Sequence, residues 1–313
     1  MAFIGLDLGA TKVNSALFSD DGEILTTNRT LIRDKAGFEV GLVINDHINL
    51  LIREAEKQDN PVYALGVSVP GIYYSQSGKV WAPNIAGWSD YPLLEELETL
   101  LGNRQIKIRI DSDRACYILG EVWKGNAKGC RNAIFMAVGT GIGAGILIDG
   151  QILRGANDIA GCTGWLALDR PYHEKYNPCG CFEYYASGSG LVRFAGELLS
   201  QSSDYNGIFR NEMELSANNL ISQYEFGDTI AVAVINRAIE YWGMAVANLV
   251  SLFNPEKIIL GGGVFGEAAR FLDQIYREAQ KWAQPIGFQE FTLEVSSIGS
   301  KAGMYGAGYL AIR

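Results

Sequence analysis

The sequence predicts an α/β protein of two domains, and three observations carry that expectation. Apolar strands joined by short polar turns open the chain, a strand, glycine-rich turn and strand recur from residue 133, and helical periodicities separate further strands in both halves. A length of 313 residues also suits two domains and is ample for buried cores and a cleft.

Residues 2–8, 13–18 and 23–30 read as three strands joined by GATK and SDDG, an antiparallel meander. Residues 38–57 carry Val40, Val43, Ile44, Ile48, Leu51, Ile52 and Ala55 at helical spacing, with His47 on the polar side, where it reads as a surface residue. Pro61 ends that segment before a strand at 63–69. A helix at 92–101, a strand at 106–110 and a helix at 113–124 follow. The expected boundary lies at 115, giving an N-terminal α/β domain over 1–115 and a C-terminal α/β domain over 116–299. In the second half AIFMAVGTGIGAGILIDG repeats the opening plan as an architectural echo, with identity too low to count as a sequence repeat. Residues 155–187 are irregular and rich in Gly, Cys and aromatics. Helices start at Ser189 and Thr229, a strand at 257–260 leads into GGGV and a helix, and 291–295 is the last strand. The ending GMYGAGYLAIR reads as a helix with Gly and Ala faces suited to close packing, and residues 300–313 are expected to complete the N-terminal domain.

A formal net charge of −9 argues against a nucleic-acid or anionic-membrane surface and leaves small molecules as partners. Five cysteines make an odd set with no paired framework, which fits a reducing cytoplasm. Met1 leads straight into AFIGLDLG with no basic n-region or cleavage site, and the apolar stretch 229–253 contains Asn236, Arg237 and Glu240. A soluble, cytoplasmic protein is expected.

The chemistry concentrates at residues 106–121, IKIRIDSDRACYILGE, where an alternating apolar run meets Asp111 and Asp113 and then a helix. An Asp at such a turn can cap the helix, hold a metal through water, or take a proton from a hydroxyl, and these residues alone leave the three open. In GLDLGATK, the N–H groups of Gly9, Ala10 and Thr11 with Lys12 can cradle phosphate while Asp7 holds Mg²⁺ through water; an ordinary hairpin with a solvated Lys fits equally. VGTGIGAG at 138–145 and LGGGV at 260–264 are neither dinucleotide fingerprints nor Walker loops. Three glycine-rich turns at strand ends suggest a nucleotide clamped between two domains.

GLDLGATK, VPG at 69–71, APNIAGW at 82–88, SDRACYILGE at 112–121, VGTGIGAGIL and NPEKIILGGGV, in this order over most of the chain, resemble the ROK family of bacterial sugar kinases. The resemblance implies an actin-like ATPase (ribonuclease-H-like) fold, two α/β domains around an interdomain cleft that holds ATP, Mg²⁺ and a sugar, and a homodimer or homotetramer. It implies that Asp7, Gly9, Thr11 and Lys12 serve the Mg–ATP phosphates, Asp7 through water to Mg²⁺. Thr140, Gly141 and Gly143 would form a second phosphate loop, and Gly261, Gly262 and Gly263 would lie against adenosine. Asn84, Ser112 and Asp113 would face the sugar, Asp113 as catalytic base, and Glu183 matches the Glu of the family's GCxE motif. The family's repressor branch carries a helix-turn-helix ahead of the first strand, so a chain starting at that strand is expected outside it.

The resemblance also marks departures. Where the family has AGEIGH this chain has AGCTGW at 160–165, placing Cys162 and Trp165 at two sugar-facing positions, the second also a zinc ligand in the family. The CxCGxxGC zinc pattern is broken, with Glu174 and Tyr176 at its first two cysteines, so the family's zinc is not expected. A relocated set of Cys162, His173, Cys179 and Cys181 has the right ligand types, against packed thiols and a surface His. Trp165 either stacks on a sugar face or fills the space the His–zinc unit leaves, the second being the commoner use of Trp. Asn84, beside Pro83, is by itself a turn residue, and Asp111 reads as a brace for its loop. The expectation is an ATP-dependent kinase for the 6-OH of a hexose, or of one altered at C1 or C2 such as an N-acetylhexosamine. The alternative is a non-catalytic sugar- or nucleotide-binding protein.

Overall fold

The computed structural model describes residues 1–210 and 213–313. Its elements are β1 (Ala2–Leu8), β2 (Lys12–Ser19), β3 (Ile24–Leu31), α1 (Phe38–Lys57), β4 (Val62–Val69), β5 (Ile72–Tyr74), β6 (Lys79–Trp81), α2 (Leu93–Leu101), β7 (Lys107–Ser112) and α3 (Asp113–Lys124). There follow β8 (Ala133–Val138), β9 (Ile142–Ile148), β10 (Gln151–Ile152), α4 (Cys181–Ala186), α5 (Gly188–Gln201), α6 (Ala217–Glu225), α7 (Thr229–Phe253), β11 (Lys257–Gly261), α8 (Leu272–Trp282), α9 (Pro285–Glu290), β12 (Thr292–Val295) and α10 (Ala302–Ile312).

Two compact units emerge. The first comprises Met1–Gly129, Ile152–Ala160 and Ser300–Arg313; the second comprises Cys130–Gln151 and Gly161–Gly299. The first therefore runs past the expected boundary at 115, because α3 packs on α10. Glycine makes that packing close: a methyl at Gly306 would stand 1.7 Å from the Cys116 carbonyl oxygen, and one at Gly120 would stand 2.3 Å from that of Ala302. The same face of α10 lies on β1 and β4, where a methyl at Gly66 would meet the Ala307 carbonyl oxygen at 1.9 Å.

The sheets of the two units share one plan. The first is ordered β3-β2-β1-β4-β7, with β1–β2–β3 antiparallel and β4 and β7 parallel to β1. The second is ordered β10-β9-β8-β11-β12, with β8–β9 antiparallel and β11 and β12 parallel to β8. The echo noted in the sequence is thus a repeat of sheet topology.

Each unit has its own core. In the first, α1 and α2 lay Val40, Ile44, Ile48, Leu51 and Leu97 against Ile4, Leu6, Leu65 and Val67. His47 belongs to this interior and not to the surface: it is 5% exposed, its Nδ1 is 2.8 Å from Ser15 Oγ and its Nε2 is 2.8 Å from Thr30 Oγ1. Burial holds its pKa below the ordinary value, so the ring is neutral and both nitrogens are partnered. In the second unit α7, long and apolar enough by composition to span a membrane, is a core helix with Ile230, Val234, Ile235, Trp242 and Val246 buried. None of the five cysteines is in a disulfide.

Candidate functional site

In the first unit the parallel strands β1, β4 and β7 end together, and their last residues carry the polar groups. Asp7 pairs in register with Ser68 on β4, which pairs with Asp111 on β7. Ser68 Oγ donates to Asp7 Oδ1 at 2.8 Å. Asp7 is also covered by the first turn of α10, where a methyl at Gly303 would lie 2.4 Å from Oδ1. Burial raises the Asp7 pKa, against the lowering effects of Ser68, Lys12 and Asn14.

The turn after Asp7 divides its residues by role. Gly9 N–H donates to the Lys12 carbonyl at 2.9 Å and closes the hairpin, so the expected contribution of this N–H to a phosphate is absent. Thr11 is exposed at the tip, its carbonyl accepting from Ile32 N–H at 2.9 Å, and Lys12 is partly exposed beside it.

Asp113 is the first residue of α3. Ser112 caps that helix, its Oγ accepting from Ala115 N–H at 3.3 Å, and so does structural work beyond the sugar contact expected of it. One Asp113 oxygen takes the Arg114 N–H at 2.8 Å, and Tyr117, one helical turn on, donates its hydroxyl to the carboxylate. The side chain is only partly covered, yet desolvation by its neighbours, with Asp7 adding repulsion, raises its pKa to about 6 against the opposing effects of Arg114 and Tyr117. A carboxylate poised there accepts a proton near neutral pH. Tyr117 was missed by sequence reading, although its i+4 spacing from Asp113 was available as a signal.

Asp111 is a brace, as its position suggested. It is 6% exposed, accepts the Ser112 N–H at 2.8 Å and pairs with Arg154, whose Nε lies 3.1 Å from Oδ2. Burial still outweighs the guanidinium and raises its pKa. Asn84 lies in a compact turn set by Ala82 N–H to Trp88 C=O at 2.7 Å and by the Trp88 indole donating to Gly37 C=O at 3.0 Å. Its own side chain is exposed.

In the second unit the β8–β9 turn packs on the start of α5. Gly188 N–H donates to the Gly139 carbonyl at 2.7 Å, and Ser187 caps α5 by accepting from Gly190 N–H at 3.0 Å. Gly139, Thr140, Gly188, Ser189, Asn218 and Gly263 line a cavity of about 390 Å³ at this helix N-terminus, a place that favours anions. Thr140 and Gly263 therefore converge, and Ser189 and Asn218 join them unannounced by the sequence. The other glycines serve the backbone. Gly261 is buried against the Phe135 ring, Gly262 needs its φ of 90° beneath the Val138 carbonyl, and Gly143 lies within β9 opposite Ala137.

Glu183 braces this turn. Its Oε2 accepts the Ile142 N–H at 2.6 Å and sits where a methyl on Gly141 would be, at 2.7 Å. Burial raises its pKa against that hydrogen bond. Trp165 is 58% exposed, so it fills no vacated interior space, contrary to the packing reading. Cys181 is buried among Tyr176, Phe182 and Tyr241, whereas Cys162 is exposed. Among the described residues no group of three or more His, Cys, Asp or Glu is gathered as a metal site, and Cys162, His173, Cys179 and Cys181 are not brought together as one.

The ROK family model matches residues 3–313. A glucokinase of Halalkalibacterium halodurans is 29% identical over 98% of this chain and 94% of its own length. A putative xylose repressor of a Caldicellulosiruptor species is also 29% identical, over 99% of this chain and 77% of its own length. Among solved structures, a ROK family glucokinase from Streptomyces griseus in complex with glucose and AMPPNP aligns with a TM-score of 0.76 at 27% identity, covering 100% of this chain and 99% of that one. The repeated sheet plan is that of the actin-like ATPase fold these sugar kinases share, and with a family match that leaves out only the first two residues, the chain belongs to the ROK family.

Proposed function

We propose that the protein is an ATP-dependent sugar kinase in which Asp113 removes the proton from the attacking sugar hydroxyl, the 6-OH of a hexose or hexose derivative. The observation that carries this reading is the Asp113 carboxylate, partly open at the start of α3 with a pKa raised to about 6 and a Tyr117 hydroxyl fixing its orientation. A base of that strength is deprotonated at neutral pH yet basic enough to accept a proton as the γ-phosphoryl group moves to the sugar oxygen.

The remaining roles follow from what each residue leaves available. Lys12 and Thr11 at the first hairpin tip, and Thr140 with the α5 N-terminus at the second, offer donors to phosphate oxygens; Gly263 and Asn218 border space for the nucleoside. Asp7, one buried carboxylate with a single hydroxyl donor on Oδ1, suits a cation that keeps most of its waters, so it would hold Mg²⁺ through water. Mg²⁺ supplies charge neutralisation on the phosphates when bound. Asn84 presents a free amide to sugar hydroxyls, and Trp165 an exposed ring to an apolar sugar face. Glu183, committed to Ile142 N–H through Oε2, has Oε1 left for a sugar hydroxyl.

A coupled ADP-release assay over a panel of hexoses, N-acetylhexosamines and polyols tests the activity. ATP- and sugar-dependent turnover is expected, and zero turnover across the panel with AMPPNP still bound would replace the kinase by a binding protein of the same family. The repressor relatives make that second outcome a real competitor.

A further inference from the structure

Along the outer edge of β7, the last strand of the first sheet, lies a cavity of about 550 Å³ that takes no part in the proposed reaction. Its apolar lining includes Leu101 and Ile108, together with Tyr73. Arg104, Arg109 and Arg154 are among its lining residues, and Glu98 is the single acid among them. In a chain of net charge −9 this is a local inversion of sign.

The arginines are not equivalent. Arg154 spends Nε and Nη2 on Asp111 and keeps Nη1 for another acceptor. The side chains of Arg104 and Arg109 have no hydrogen-bond or ion-pair partner among the described residues. Planar guanidinium forks match phosphate oxygens in pairs, and they gain most beside an apolar wall that excludes water. A cavity of this volume has the size that small ligands occupy.

We infer that this cavity binds a small organic phosphate, its phosphate group on Arg104 and Arg109 and its body on Leu101 and Ile108. Such a ligand also reaches the spare donors of Arg154, the partner of Asp111 on the strand that ends at Ser112. The site stands whether or not the chain phosphorylates a sugar.

Calorimetric titration of the full chain tests it, with AMPPNP present to occupy the glycine-rich loops and with glucose 6-phosphate, glycerol 3-phosphate and inorganic phosphate as probes. The expected result is an organic phosphate bound with a Kd below about 1 mM and more tightly than inorganic phosphate. The double variant Arg104→Gln, Arg109→Gln should weaken that binding about tenfold or more, with thermal midpoint and AMPPNP affinity unchanged. Equal affinity in the double variant, inorganic phosphate binding as tightly as the organic probes, or no probe binding at millimolar concentration would each overturn the site.

Discussion

Asp113 is where a single side chain ties the fold to the proposed chemistry. Replacing it with Asn keeps the shape but removes the proton acceptor, so kcat should fall by about 10²–10⁴ while AMPPNP affinity, read by calorimetry, stays within a small factor. The wild-type pH profile of kcat/KM should rise through an inflection near 6, the value to which burial pushes this carboxyl. The same shift has a stability sign. Because the folded pKa lies above the ordinary carboxylate value, the folded state holds its proton more firmly, and that contribution is complete below about 4 and lost as pH rises through about 6. Asp113→Asn should therefore be more stable than wild type at pH 8, by on the order of 1–3 kcal/mol, with the gap closing near pH 4. Denaturant melts at the two pH values check this, and a gap independent of pH would refute the assignment. The position of Asp113 at a strand-to-helix junction was legible because strand, carboxylate and helix are contiguous there. Sequence reading misjudged His47 because the partners that bury it, Ser15 and Thr30, come from distant stretches of chain, and it left Trp165 open between packing and a sugar platform because exposure depends on neighbours far away in sequence.

At the scale of elements, periodicity made α1, α3 and α7 legible, since each carries an apolar face over several turns. The β5–β6 hairpin escaped notice: its strands are three residues each, too short for alternation to register. The glycine loops were legible as turns but not in their division of labour, which depends on register, since Gly143 falls inside β9 and Gly262 beneath Val138. Helix α10 supplies a sharp test of close packing. Gly306→Ala drives a methyl into the Cys116 carbonyl and should cost about 2–3 kcal/mol or more. Gly196→Ala in α5, where the added methyl meets nothing within 4 Å, should instead stabilise by roughly 0.5–1 kcal/mol. Thermal melts of both variants measure the contrast, and similar shifts in the two would remove the argument that glycine is required at the α3–α10 crossing.

For the whole molecule, the sequence suggested two α/β domains with a C-terminal helix completing the first, and the first compact unit does include Ser300–Arg313. A chain ending at residue 299 should lose the first unit, because α10 covers β1, β4 and α3 and buries Met304 and Ala311 beside Phe3 and Phe18. The second core contains no residue from that segment and should persist. Limited proteolysis of the truncated chain should leave a protected fragment from the second unit and digest residues 1–129; equal protection of both would show that α10 is dispensable.

The placement of α10 also orders events in time. During synthesis the chain begins its first unit, makes the whole of its second, and only then supplies Ser300–Arg313, the piece that seals the first. Until residues 300–313 have been made and have docked, the β1–β4–β7 face waits uncovered. The second unit therefore has all its residues before the first does, and a chain stopped short of residue 300 leaves its first unit unsealed and open to proteases.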